Sequence, residues 1–317
     1  MRVRFICAAV TVGVLIAVAV PTVASARFTG KAPTGAAPAP KTKARKSIVH
    51  RYYLALGDSL SRGWQPNVNG QSVNTNQGYV DQLFKIEHRR VPGLKLVKLG
   101  CGGETTGSMI TGKGNQAVPS DCKPKGGSQL KAATMFLKTH HRRGEVPLVT
   151  LDIGANDVDG CATSPDLVGC VTAGEASIKH DTPIILSALR KAAPKGTKFA
   201  AGTLYDPVLA GYFSSNASTR GLAVASVSFL KQINDDITAA DTSGGFATAD
   251  VAGAFDSYDS TDMVAFNGQS IPINVARVCS WTWACTTPPS GPNIHANLNG
   301  YSVMAQAYKA VIGKLKK

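Results

Sequence analysis

The stretch Tyr52-Tyr53-Leu54-Ala55-Leu56-Gly57-Asp58-Ser59-Leu60 decides how the chain is read. A short apolar run that stops at a glycine and two polar residues is the pattern of a buried β-strand delivering a turn at its carboxyl end. The arrangement returns downstream. Leu94–Leu99 runs into Gly100-Cys101-Gly102-Gly103-Glu104, and Leu148–Ile153 into Gly154-Ala155-Asn156-Asp157. Phe199–Leu204 reads as a fourth strand and Phe246–Val251 as a weaker fifth. Helical patterns fill the intervals. Gly78–Arg90 carries Tyr79, Val80, Leu83, Phe84 and Ile86 at helical spacing, and Val171–Ala193 sets Ile178, Ile185, Leu186 and Leu189 on one face. Leu130–His140, Leu222–Ala240 and an amphipathic Ser302–Leu315 read as further helices. Strands alternating with helices predict an α/β fold with a parallel sheet covered on both faces. In such sheets ligands bind beyond the carboxyl ends of the strands, so chemistry is expected in the segments that follow them.

The 317 residues suffice for one or two domains, and 44% hydrophobic against 17% charged residues suits a packed core. Arg2 and Arg4 precede the uncharged apolar run Phe5–Val20, and Ala24-Ser25-Ala26 offers small residues for cleavage, so residues 1–26 read as an export signal. A retained N-terminal anchor is the alternative. Of the net charge of +14, Arg2 and Arg4 supply two and residues 27–51 another seven with no acid, which leaves +5 for residues 52–317. The basicity therefore lies in a tail, and no nucleic-acid module accompanies it. Residues 27–46, rich in Ala, Pro and Lys, read as a linker that cannot bury enough apolar surface to fold. Such a tail is suited at most to weak contact with an acidic cell wall or membrane surface. The folded domain is then 47–317.

Beyond Cys7 in the apolar run, six cysteines remain, an even number that implies disulfides in an exported chain. Six cysteines allow fifteen pairings. Their grouping favours Cys101–Cys122, Cys161–Cys170 and Cys279–Cys285. A zinc site finds no C-x-x-C spacing.

Four positions carry candidate chemistry. Ser59 follows the first strand, where a hydroxyl faces the top of the sheet; a helix N-cap is the competing role. The glycines after the second strand let main-chain N–H groups approach a substrate closely. Asn156, after the third strand, is a fixed neutral donor suited to a developing oxyanion, or else a turn cap. Of the histidines, only His295 lies in a Gly, Pro and Asn-rich loop, in Asn293-Ile294-His295-Ala296-Asn297, and histidine titrates where a general base must.

In this order and spacing the four resemble the SGNH, or GDSL, family of hydrolases, and the export signal and paired cysteines look like its secreted actinobacterial lipases and esterases. The resemblance implies Ser59 as nucleophile and His295 as base, with Ser59, Gly103 and Asn156 as oxyanion donors. It implies a three-layer α/β/α domain with a five-stranded parallel, flavodoxin-like sheet. It also implies carboxylic ester hydrolysis of lipid or simple acyl esters without metal or cofactor, by an extracellular monomer. A carbohydrate acetylesterase and a non-catalytic cell-wall module are the alternatives. One departure stands out. The family's last motif carries an aspartate three residues before the histidine, and here that residue is Pro292. The main-chain carbonyl of Pro292 is the expected substitute, with Asp256, Asp259 or Asp262 as alternatives. Trp281, Trp283 and Phe266 are candidates for an acyl-binding wall, or for packing around Cys279–Cys285.

Overall fold

In the computed structural model, residues 50–113, 122 and 124–315 are described. The export signal and the basic linker lie outside the described residues. Ser47–Lys317 forms one compact unit.

Five strands, β1 (Arg51–Gly57), β2 (Leu94–Lys98), β3 (Leu148–Asp152), β4 (Lys198–Gly202) and β5 (Ala247–Ala249), pair in parallel in the order β2-β1-β3-β4-β5. The longer helices are α1 (Tyr79–His88), α2 (Gln129–Thr139), α3 (Leu167–Ala192), α4 (Ala217–Gly244), α5 (Ile273–Trp281) and α6 (Leu298–Ile312). The pleat of β1 sends alternate residues to opposite layers. Tyr53 and Ala55 pack with Leu83 of α1 and with Tyr301, Met304 and Tyr308 of α6. Leu54 and Leu56 pack with Leu137 of α2 and with Ile185 and Leu189 of α3. The result is the expected three-layer α/β/α sandwich.

Helix ends follow capping chemistry more than the apolar pattern. α3 begins after Asp166, whose side chain accepts the Gly169 N–H, and so starts four residues before the apolar face suggests. α4 begins after Asn216, which accepts from Ser218 and Thr219, and ends at Gly245 in the left-handed region at φ 69°.

The strand order sets the site. Connections from β1 to β2 and from β3 onward diverge to opposite sides, which opens a crevice between the carboxyl ends of β1 and β3. Gly57 and Asp152 are register partners there, so the turns beginning at Asp58 and Ile153 stand side by side.

The chain closes the three disulfides Cys101–Cys122, Cys161–Cys170 and Cys279–Cys285, with Cα separations of 5.6, 5.5 and 5.0 Å. No helix among the described residues is long and apolar enough to cross a membrane.

Candidate active site

The turn after β1 is built around Gly57. Its φ of 134° belongs to glycine, and a Cβ there would overlap both the carbonyl oxygen and the carboxyl group of Asp152. Gln129 clamps this residue from α2, accepting the Gly57 N–H at 2.7 Å and donating to its carbonyl at 2.9 Å. Gln129 also donates to Glu104 at 2.9 Å, tying the first turn to the second. Asp58 then caps a single helical turn, Ser59–Arg62, by accepting the Leu60 N–H at 2.8 Å. Ser59 is therefore the first residue of the turn and not its cap, and its N–H has no partner among the described residues.

His295 reaches Ser59 from a short strand, Asn293–Ala296, that pairs antiparallel with Thr282–Trp283. Nε2 lies 2.9 Å from Ser59 Oγ. The imidazole is 9% exposed, and burial pushes it down from the ordinary 6.5 to about 4, so the ring is neutral and able to accept a proton.

The group on the other ring nitrogen differs from the expectation. Nδ1 lies 2.7 Å from Asn293 Oδ1, which also accepts the His295 backbone N–H at 3.0 Å. Asn293 Nδ2 donates to Ser72 Oγ at 2.9 Å, so the amide is turned with its oxygen toward the histidine. With Oδ1 as acceptor, Nδ1 carries the proton and Nε2 keeps its lone pair for the serine. The Pro292 carbonyl does not take this role. In an extended strand residues two apart share a face, which brings Asn293 and not residue 292 alongside the ring. The signal was available in Asn-x-His on a strand. The three alternative aspartates are elsewhere: Asp256 pairs with Arg277 at 2.9 Å, Asp259 accepts from Thr261 and the Asp262 N–H, and Asp262 is exposed.

Asn156 lies in a short turn, Ala155–Val158, after β3 and donates from Nδ2 to the Glu104 carbonyl at 3.0 Å and to Asp58 Oδ2 at a longer 3.3 Å. Gly103 sits at φ 72°, and its N–H has no partner among the described residues. The second and third turns are locked together by Asp157, which accepts from Thr106 N at 2.9 Å and Thr106 Oγ1 at 2.7 Å.

Behind the serine lies an acid pair that the sequence reading passed over. Asp58 and Asp152 are both buried and adjacent. Burial pushes Asp58 up to about 6, and burial followed by the charge of Asp58 pushes Asp152 well above the carboxylate range. Asp152 Oδ1 accepts from Tyr79 Oη at 2.5 Å. Asp159 stands at the rim of the cleft, exposed on its outer side and set against protein on the other. Desolvation raises it to about 7, with Asp58, Asp157 and Asp206 adding repulsion.

Ser59, Asn156 and His295 border one cleft, whose other walls are mainly aliphatic. Trp281, Trp283 and Phe266 are not among its lining residues. Trp281 packs on Phe255 and Arg277, and Phe266 on Phe213. Among the described residues one group of potential metal ligands stands close together, Cys101, Glu104 and Cys122. The two sulfurs are bonded to each other, and Glu104 accepts from Ser108 and Gln129.

No protein-family model matches the chain, and no curated relative does. Solved structures similar to it include an extracellular lipase from Streptomyces rimosus, at 16% identity, TM-score 0.47, and coverage of 82% of this chain and 100% of that one. Phospholipase A1 from Streptomyces albidoflavus matches at 18% identity, TM-score 0.44, and coverage of 72% and 94%. An acetylxylan esterase from Geobacillus stearothermophilus matches at 13% identity, TM-score 0.48, and coverage of 84% and 96%.

Proposed function

We propose that the protein is a serine hydrolase of carboxylic esters, of the SGNH type, with Ser59 as nucleophile and His295 as general base. The observation that carries the reading is the 2.9 Å contact of Ser59 Oγ with His295 Nε2, on a ring whose other nitrogen is held by Asn293. Ser59 Oγ attacks the ester carbonyl as its proton passes to Nε2. The tetrahedral oxyanion is held by the N–H groups of Ser59 and Gly103 and by the Asn156 amide. The imidazolium returns the proton to the alkoxide, and the alcohol leaves. Water, deprotonated by the same nitrogen, then attacks the acyl-enzyme and releases the acid.

One chain supplies every residue in this scheme, so the site needs no partner subunit. Three disulfides support action outside the cell, where thiols oxidise. The test is hydrolysis of a p-nitrophenyl ester by the wild-type chain and by Ser59→Ala. The variant is expected to keep its circular dichroism and lose about 10⁴–10⁶-fold in kcat. A folded Ser59→Ala protein with unchanged turnover refutes the assignment, and a wild-type chain inert toward every ester refutes the function.

A further inference from the structure

Beyond the serine the cleft runs outward between α3, α4 and the turn Pro207–Phe213. Deep in this region Ile178, Leu204, Ile233 and Ile237 close on one another as a packed cluster. From this cluster the apolar lining continues toward the serine. Leu167 of α3, Leu222 and Phe229 of α4, and Val208 of the turn line the cleft and are only half-buried, with Val171 and Leu230 at the floor. Aliphatic and aromatic side chains on facing helices are thus left partly uncovered at a position continuous with Ser59 and His295.

The polar groups of this region are largely spoken for. Asp206 accepts from Val208 N at 3.0 Å and Ser226 Oγ at 2.7 Å. Asp58 is taken by Leu60 N and Asn156. Asp159 is a rim carboxyl open to solvent. The rim itself is pinned by Cys161–Cys170, with the Cys161 end buried in the packed cluster.

We propose that this cleft receives the acyl chain, and that the substrates are esters of medium-length aliphatic acids. The proposal rests on the reading of Ser59 as nucleophile. The free volume is about 120 Å³. An apolar cavity of about 150 Å³ holds a benzene molecule, so the cleft itself takes roughly six carbons. A chain continuing along the half-buried Leu222 and Phe229 extends the fit to roughly six to ten carbons. Each methylene that leaves water for the cleft raises kcat/KM by up to about fourfold. If each of the six added methylenes realises about two- to fourfold, an octanoyl ester exceeds an acetyl ester by about 60- to 4,000-fold. Beyond about ten carbons the added chain stays in water and the gain stops.

The experiment is a p-nitrophenyl ester series from two to sixteen carbons with the full chain, repeated on Leu222→Trp and Ala162→Trp. Both residues line the cleft, one half-buried and one exposed, so an indole at either site fills the cleft without entering the packed core. The wild-type optimum is expected between six and ten carbons. In each variant that retains its circular dichroism, the octanoyl-to-acetyl ratio of kcat/KM is expected to fall at least tenfold. A wild-type preference for acetyl esters, or ratios unchanged in both variants, overturns the proposal while leaving the hydrolase reading intact. If no ester is cleaved, that reading fails, and calorimetric titration of the wild-type chain with octanoic acid decides the cleft alone. Binding weakened at least tenfold by Leu222→Trp upholds it, and no binding refutes it.

Discussion

Replacing Asn293 tests how the histidine is held. In the folded chain its Oδ1 accepts from both Nδ1 and the main-chain N–H of His295, at 2.7 and 3.0 Å. Asn293→Ala strips the acceptor from a ring that is 9% exposed. A buried donor left without a partner costs about 1–3 kcal/mol. Expressed in the transition state, where Nδ1–H is most polarised, that is about 5–150-fold in kcat. Loss of a triad carboxylate costs nearer ~10⁴-fold, because a charge that stabilises imidazolium goes with it. Asn293→Asp is the informative partner. It places a carboxylate against Nδ1, and a close opposite charge raises a histidine by about 1–3 units. The ring, held at about 4 by burial, then moves to between about 5 and 7. The sign follows: neutral imidazole is the active form, so raising its pKa moves the acidic limb of kcat/KM upward. The assay is hydrolysis of a short p-nitrophenyl ester from pH 3.5 to 9. The wild-type limb is expected near 4, well below the ordinary histidine value. An Asn293→Ala enzyme within twofold of wild type, with the same limb, refutes the orienting role. A wild-type limb at 6.5 refutes the burial argument.

The acid pair behind the nucleophile has the opposite sign in stability. Burial raises Asp152 above its unfolded value, so its contribution is fully present at low pH and declines as pH rises past the ordinary carboxylate range. Asp152→Asn mimics the neutral acid, and urea melts at pH 5 and 8 should show a smaller loss of stability on going to pH 8 than wild type shows. Gln129→Leu leaves the Gly57 N–H buried and unpaired, while its C=O keeps the Cys101 N–H, and should destabilise by about 1–3 kcal/mol in denaturant unfolding. The double variant Cys161→Ala/Cys170→Ala opens a short loop and should lower unfolding free energy by about 2–3 kcal/mol.

What the sequence made legible, and what it hid, divides by the range of the interaction involved. The β1 run and its Gly57 stop are local, as are the turns after β2 and β3, and a parallel sheet leaves few places where three such turns can converge. Gly57 opposite Asp152 is the register that convergence requires. Asn293 lay equally close in sequence to His295, yet was hidden by a question of conformation. Read as loop, residues 293–296 give no reason to choose between a carbonyl and a side chain. Read as strand, the period of two puts Asn293 beside His295 and aims Ile294 away from the pair toward the cleft mouth, where it is 44% exposed. The acyl cleft and the Asp58–Asp152 pair were out of reach for a different reason. Each depends on how separate elements settle, and the same apolar pattern on α3 and α4 would serve a closed core as well as the wall of a cleft. Where two amphipathic faces meet completely, the pattern describes core. Where their half-buried residues also border a cleft that reaches Ser59, that part is open to a substrate, and only the three-dimensional arrangement distinguishes the two.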